Sequence, residues 1–98
     1  MIQSFKEQGT RDVFDRTSSK RASKTCPPDL WGVARRKLDQ LNQAELLEDL
    51  RAPPHNRLEA LKGDRKGQHS IRINDQFRVC FRWTTGGPEN VEIVDYHD

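Results

Sequence analysis

Arginines occupy polar positions of two neighbouring alternating segments in the last third of the chain. Apolar and polar side chains alternate in residues 68–74, which include Arg72, and in residues 77–83, which include Arg78 and Arg82. Alternation with a period of two is typical of a strand with one exposed face. If the strands pair, these arginines come within reach of one anion, and a planar guanidinium can grip two phosphate oxygens. The pattern therefore indicates phosphate chemistry; the alternative is a half-exposed sheet with ordinary solvent-facing arginines.

Charge is distributed unevenly along the chain, although the net charge is only +2. Residues 51–82 carry eight basic and three acidic side chains, whereas residues 83–98 carry four acids and no lysine or arginine. If the middle residues share a face, their field suits a polyanion such as a nucleic acid. A solvated charged surface without a partner is the alternative reading of the same charges.

Length and composition limit the class of protein. The 98 residues allow one domain, residues 1–98, and the 21 Leu, Ile, Val and Phe residues allow only a thin core. No apolar run approaches the roughly 18 residues of a membrane helix, and the N-terminus has no apolar signal core. We therefore expect a cytoplasmic protein without a membrane partner, with Cys26 and Cys80 as free thiols. No Gly-rich phosphate loop or metal-ligand spacing is present, so we expect no cofactor and no metal.

Hydrophobic periodicity predicts an α+β fold. We expect the order β-α-α-β-β-β, with two helices packed on a small antiparallel sheet. The main amphipathic helix follows Asp29 and carries Leu30, Ala34, Leu38 and Leu41 on one stripe, with Trp31 as a core or groove filler. The other expected elements are an edge strand at Ile2–Phe5, a short helix at Thr10–Arg16, a helical pattern at Ala44–Leu50, and strands at 68–74, 77–83 and 91–96.

Residues 17–28 differ in composition from their surroundings. They are rich in Ser, Thr, Lys and Arg and contain two prolines, with little that can fill a core. This composition predicts a mobile basic loop. Its cations could contact phosphates, but a solvated linker is the favoured reading.

The chain resembles a known toxin family in three segments. These are Leu61-Lys62-Gly63-Asp64-Arg65-Lys66-Gly67-Gln68-His69-Ser70-Ile71-Arg72-Ile73-Asn74, Gln76-Phe77-Arg78-Val79-Cys80-Phe81-Arg82-Trp83 and Val91-Glu92-Ile93-Val94-Asp95-Tyr96-His97. They resemble HigB, the toxin of host-inhibition-of-growth toxin–antitoxin modules, within the RelE/ParE superfamily. The opening residues 1–5 are also typical of that family, and the likeness covers nearly the whole chain except residues 17–28.

The resemblance implies a bacterial toxin that enters the ribosomal A site and cleaves messenger RNA. In this superfamily a ribose 2′-hydroxyl attacks the adjacent phosphate, leaving a 2′,3′-cyclic phosphate and a 5′-hydroxyl without a metal. A HigA-like helix-turn-helix antitoxin neutralises the toxin, and the toxin–antitoxin complex represses its own operator DNA. The implied fold is a compact RelE-like domain.

The resemblance also implies roles for individual residues. Arg78 is the expected phosphate clamp, and Asp95, Tyr96 and His97 match the C-terminal catalytic tripeptide of the family. His97 can transfer a proton near neutral pH, Asp95 can orient it or act as the base, and Tyr96 can stack on the nucleotide or donate a proton. Five further cations are expected to bind RNA phosphates: Lys62, Arg65, Lys66, Arg72 and Arg82.

One position departs from the family pattern. Glu59 stands where the HigB pattern has a catalytic histidine, three residues before Lys62, and neither His55 nor His69 occupies that position. A carboxylate can act as a base but is a poor acid at neutral pH. Glu59 is therefore a candidate catalytic residue whose part in proton transfer is open.

Two other functions remain as alternatives. The ParE branch shares the fold but inhibits DNA gyrase without cutting RNA. A weakened toxin, retained as an antitoxin-binding co-repressor, is the second alternative, and the departure at Glu59 keeps it open.

Overall fold

A four-stranded antiparallel sheet and three α-helices make up the fold in the computed structural model, which describes residues 1–96. The elements in chain order are α1 (Gln8–Phe14), α2 (Lys20–Thr25), α3 (Trp31–Gln43), β1 (Glu59–Ala60), β2 (His69–Arg72), β3 (Phe77–Thr84) and β4 (Gly87–Asp95). The strands lie in the order β1-β2-β3-β4. The α+β class is confirmed, whereas the expected order β-α-α-β-β-β is corrected: all four strands follow the three helices. None of these helices is long and apolar enough to cross a membrane.

The register of β2 and β3 confirms the alternation expected from the sequence. Ile71 pairs with Val79 on the face that packs against the helices, and both are fully buried. Arg72 pairs with Arg78 on the opposite face. Because paired residues in an antiparallel sheet project to the same side, one register places both arginines together.

Helix α3 supplies most of the helical part of the core. Its apolar stripe, Ala34, Leu38 and Leu41, is fully buried. Trp31 is half-buried against the core, and its indole N–H donates to the Cys26 carbonyl over 2.8 Å, which agrees with the expected filling role. The helical pattern expected at residues 44–50 is instead a short 3-10 helix, Leu47–Arg51.

The N-terminal segment is bonded to the sheet without forming a full strand. The strand expected at residues 2–5 is reduced to a single parallel bridge between Phe5 and Val91. Helix α1 begins after Glu7, whose carboxylate accepts the backbone N–H groups of Gly9 and Thr10. Thr10, the first residue of the helix expected at Thr10–Arg16, instead lies buried inside α1, and its hydroxyl accepts the Ile93 N–H over 3.0 Å. The helix and the sheet therefore share a buried hydrogen bond.

Residues 17–28 contain a helix, α2, where composition predicted a mobile basic loop. Ser19 begins α2 by accepting the Ala22 N–H over 3.0 Å, and it donates to Asp12 of α1 over 2.7 Å. Ala22 and Cys26 are fully buried. A side-chain cap and packing against α1 outweigh the polar composition, so this segment contributes to the core.

Candidate active site

Arg78 lies across the sheet face opposite to the helices. It projects from β3 over Ser70 of β2 toward the edge strand β1, where Glu59 pairs with Ser70. Only 11% of the Arg78 side chain is exposed. A charged side chain this deeply covered must be held by polar partners, and three of them surround its guanidinium.

The three partners contact two nitrogens of the guanidinium, Nε and Nη2. Nε donates to the Ser70 hydroxyl over 2.7 Å, and Nη2 donates to the Arg57 carbonyl over 2.7 Å. Nη2 also lies 3.2 Å from a carboxylate oxygen of Glu59, whose side chain is 53% exposed. Hydrogen bonds from a charged donor are stronger than neutral ones, so this group is held in one orientation.

Tyr96 approaches the same guanidinium from the end of β4. Its ring centre lies 6.0 Å from Cζ of Arg78, at the limit of a cation–π contact. The Tyr96 N–H donates to the Gln76 carbonyl over 2.7 Å, which continues the pairing of β3 and β4 past Asp95. The structure thus gathers Arg78, Glu59 and Tyr96 from distant parts of the chain.

Sequence reasoning missed the loop that supports this cluster. Asn56 is fully buried, and its amide donates to the Leu50 and Ala52 carbonyls over 3.1 and 3.3 Å. Its carbonyl oxygen accepts the Lys37 ammonium over 2.6 Å. The next residue, Arg57, has a left-handed backbone with φ 44°, and its carbonyl reaches Arg78. No sequence pattern predicts that the backbone carbonyl of Arg57 accepts a hydrogen bond from Arg78. The contact of Ser70 was predictable, because Ser70 lies on the same polar strand face as Arg72.

Arg72 lies beside Arg78 but has a different environment. It is the cross-strand partner of Arg78, and it forms an ion pair with the exposed Asp75 in the turn after β2. Its side chain is 27% exposed. Arg72 is therefore the more accessible of the two paired arginines.

Of the other expected RNA-binding cations, Arg65 is engaged in an ion pair, whereas Arg82 is exposed. Arg65 lies 3.5 Å from Glu92, which also pairs with Lys6 over 3.2 Å. Arg82 lies beyond a β-bulge and packs over Gly67, whose φ of +93° favours glycine. Lys62 and Lys66 are exposed on either side of the 3-10 turn Gly63–Arg65. Arg65 thus contributes a structural ion pair in the connection that carries these lysines.

The expected C-terminal tripeptide is only partly described. Asp95 accepts a hydrogen bond from the Gln76 amide over 3.0 Å, and its register partner Phe77 faces the core. Alternation therefore places Asp95 on the other side of β4 from Val94, the partner of Arg78. His97 lies outside the described residues.

Neither the nearby thiol nor the nearby imidazole shows the features of a reacting group. Burial raises the pKa of the Cys80 thiol to about 11, so it stays protonated at neutral pH. His69 stacks on Phe81, with ring centres 6.3 Å apart, on the face away from Arg78. Among the described residues, no group of three His, Cys, Asp or Glu side chains could hold a metal ion.

The arrangement has the groups needed to bind a phosphodiester. A guanidinium in a fixed orientation can offset negative charge that develops on phosphorus. The adjacent carboxylate can accept a proton, and the phenol ring can stack on a base or donate a proton. Exposed lysines beside the sheet add positive charge for a polyanion.

Comparison with known proteins supplies an independent line of information. A family model described as "RelE-like toxin of type II toxin-antitoxin system HigB" matches residues 3–98. The chain is 45% identical over 60 residues to Toxin HigB-1 of Vibrio cholerae, covering 61% of this chain and 63% of that protein. It is 37% identical over 67 residues to an uncharacterized protein of Haemophilus influenzae, covering 68% and 66%. It is 28% identical over 97 residues to Endoribonuclease HigB of Proteus vulgaris, covering 99% and 100%. The first two alignments thus span slightly less than two thirds of the relative's length.

Proposed function

This chain belongs to the HigB family of RelE-like toxins of type II toxin–antitoxin systems, and from that premise we propose that it is a ribosome-dependent endoribonuclease. Its substrate is messenger RNA in the ribosomal A site, and cleavage inhibits translation. The 2′-oxygen attacks the adjacent phosphorus, the bond from phosphorus to the 5′-oxygen breaks, and a 2′,3′-cyclic phosphate and a 5′-hydroxyl remain. One proton leaves the 2′-hydroxyl for a base, and one reaches the 5′-oxygen from an acid.

The held guanidinium of Arg78 is the observation that carries this proposal. Attack on phosphorus increases the negative charge on the phosphate oxygens, and a donor already in position stabilises that charge without reorganising. The Nε bond to Ser70 and the Nη2 bond to the Arg57 carbonyl provide this preorganisation. In the proposal Arg78 binds the scissile phosphate, and Tyr96, 6.0 Å away, stacks on the nucleotide or donates a proton.

The remaining roles are assigned by the family likeness and by exposure. His97 transfers protons, and Asp95, which alternation places on the side of β4 away from Arg78, orients His97 rather than serving as the base. Lys62, Lys66 and Arg72 bind flanking phosphates; Lys62 and Lys66 are exposed, and Arg72 is partly exposed. Arg65 acts more weakly, because it is paired with Glu92, whereas Arg82 is exposed beyond the bulge and adds a further cation.

A toxin of a type II system has a protein antitoxin as its partner. We assign a HigA-like helix-turn-helix protein to that role, with binding of operator DNA only through the toxin–antitoxin complex. The ribosome is the second partner, and the cytoplasm is the compartment. Co-expression with the neighbouring gene should restore growth if that gene encodes the antitoxin; failure of every adjacent gene product to bind would contradict the assignment.

The test compares messenger RNA on translating ribosomes with the same RNA free in solution. The purified chain should cut the ribosome-bound RNA and leave free RNA largely intact, because a small sheet surface cannot by itself hold RNA for in-line attack. Products are analysed for 2′,3′-cyclic phosphate ends. Equal cutting of free RNA would contradict the ribosome requirement. Absence of cutting together with inhibition of gyrase supercoiling would support the ParE-like alternative, and antitoxin binding without either activity would support the co-repressor.

A further inference from the structure

The partners of Arg78 differ in how easily they can leave it. Ser70 is fully buried in β2, and the Arg57 acceptor is a backbone carbonyl. Both belong to the framework around the guanidinium. Glu59 is held by a two-residue edge strand, and about half of its side chain is exposed. It can rotate into solvent without disturbing the backbone.

The carboxylate of Glu59 also resembles the expected ligand. A carboxylate presents two oxygens to a guanidinium in nearly the same geometry as a phosphate. Ser70 accepts from Nε and the Arg57 carbonyl accepts from Nη2, so a phosphate must approach through the remaining N–H groups of Nη1 and Nη2, and Glu59 lies 3.2 Å from Nη2. The two anions would therefore compete for the same side of Arg78.

We propose that Glu59 is an internal competitor that covers the phosphate-binding side of Arg78 in the free protein and is displaced when the RNA phosphate binds. This inference rests on the proposed function, since it takes Arg78 as the phosphate clamp. Glu59 then lowers the affinity for any single phosphate group. Substrates that add contacts at the surrounding cations overcome the competition, whereas isolated phosphate does so poorly. Glu59 is thus a specificity-determining residue for phosphate binding at Arg78.

The size of the effect follows from the exposure of the pair. Half-exposed ion pairs contribute up to about 1 kcal/mol, which corresponds to a change of about fivefold in a dissociation constant. Removing the carboxylate charge should tighten phosphate binding by about that factor. The Glu59→Gln side chain keeps the size of the original, so the edge strand should be preserved.

The experiment titrates the full chain with inorganic phosphate at constant ionic strength and follows the Arg78 Nε–H resonance by NMR. Glu59→Gln should bind phosphate about fivefold more tightly than the unmodified chain. Glu59→Asp keeps the charge but is one methylene shorter, so it should also bind more tightly. Glu48→Gln removes an exposed carboxylate in the 3-10 helix Leu47–Arg51 and should change nothing. In an Arg78→Ala background, observed through neighbouring backbone amides, Glu59→Gln should have no effect.

Several results would overturn the proposal. Equal phosphate affinity in Glu59→Gln and the unmodified chain would show that the carboxylate does not compete. Tighter phosphate binding in Glu59→Gln but not in Glu59→Asp would show that the negative charge at position 59 acts at a distance, through its electrostatic field, and not through direct contact with Arg78. If cleavage on ribosomes still depends on Arg78 in either case, only the inference about Glu59 fails. If phosphate never moves the Arg78 resonance in any variant, the clamp itself fails, and the proposed function loses its main support.

Discussion

Replacement of Arg78 by alanine is the most direct test of the candidate site. The change removes a guanidinium that is only 11% exposed and is held by Ser70 and the Arg57 carbonyl, each over 2.7 Å. Loss of one preorganised donor that acts mainly in the transition state typically costs about 3–4 kcal/mol, or roughly 100- to 1,000-fold in rate. Because Arg78 is both charged and fixed, we expect a loss within that range in single-turnover cleavage on programmed ribosomes.

The same substitution should also lower stability by a predictable amount. It leaves the buried Ser70 hydroxyl without its guanidinium donor, and a buried polar group that loses its partner typically costs about 1–3 kcal/mol. Urea unfolding measures this loss, and rates are compared at temperatures where each variant is folded. Arg78→Lys keeps the charge but cannot span both Ser70 and the Arg57 carbonyl, so its rate should fall between those of Arg78→Ala and the unmodified chain.

Arg72 offers a matched control on the same face. It is the cross-strand partner of Arg78, but it is more exposed. It pairs with the exposed Asp75, whereas Arg78 is held by the Ser70 hydroxyl and the Arg57 carbonyl. Arg72→Ala should therefore reduce the rate by no more than about tenfold, or ~1.4 kcal/mol. Equal losses of cleavage rate in Arg72→Ala and Arg78→Ala would show that the positive charge of the sheet face matters more than the fixed orientation of the Arg78 guanidinium. A near-normal rate for folded Arg78→Ala would refute the reasoning.

Four further predictions address other parts of the molecule. His97→Ala should slow ribosome-bound cleavage by about 100-fold or more, because it removes a general acid or base; normal rates for both it and Arg78→Ala would overturn the site. Glu59→Gln should keep the saturated cleavage rate within about tenfold, since a carboxylate is a poor acid at neutral pH; a loss as large as that of His97→Ala would instead assign proton transfer to Glu59. Asn56→Ala should lower the free energy of unfolding in urea by about 2–4 kcal/mol, because two backbone carbonyls lose their buried amide donor; an unchanged midpoint would contradict this. Burial raises the pKa of both thiols, Cys26 and Cys80, to about 11 from 9.0, so their contribution to stability is complete below pH 9 and is lost as the pH rises toward 11. In a double Cys→Ser variant the free energy of unfolding should therefore fall less steeply between pH 9 and 11 than in the unmodified chain. The same pH dependence in both proteins would count against this prediction.

The sequence by itself determined the pattern of the central strands. Side chains alternate with a period of two along any strand, so the placement of Arg72 and Arg78 on one face follows from their spacing within each segment. The apolar stripe of α3 follows from the helical period in the same way. Both patterns were predictable because they depend on backbone geometry within a few residues.

Segments whose state depends on distant packing were less predictable. Residues 17–28 look like a loop by composition, yet α2 forms there because Ser19 caps it and Asp12 of α1 accepts the Ser19 hydroxyl. The strand expected at residues 2–5 depends on its pairing with β4, and that pairing amounts to one bridge, between Phe5 and Val91. In each case a contact across the fold outweighs the local preference.

The electrostatic roles of the individual cations were decided only by the tertiary structure. By charge alone Arg65 and Arg78 are equivalent members of one basic segment, but the fold pairs Arg65 with Glu92 and places Arg78 between Ser70 and Glu59. The pairing of Arg78 with Glu59 requires the register of β1 on β2, which no single segment encodes. Charge is a property of the residue type, whereas its partner is set by residues brought together from distant parts of the chain. Charge and spacing therefore predicted a basic face, the family likeness singled out Arg78 on it, and only the tertiary structure showed which groups hold that arginine: the Ser70 hydroxyl, the Arg57 carbonyl and the Glu59 carboxylate.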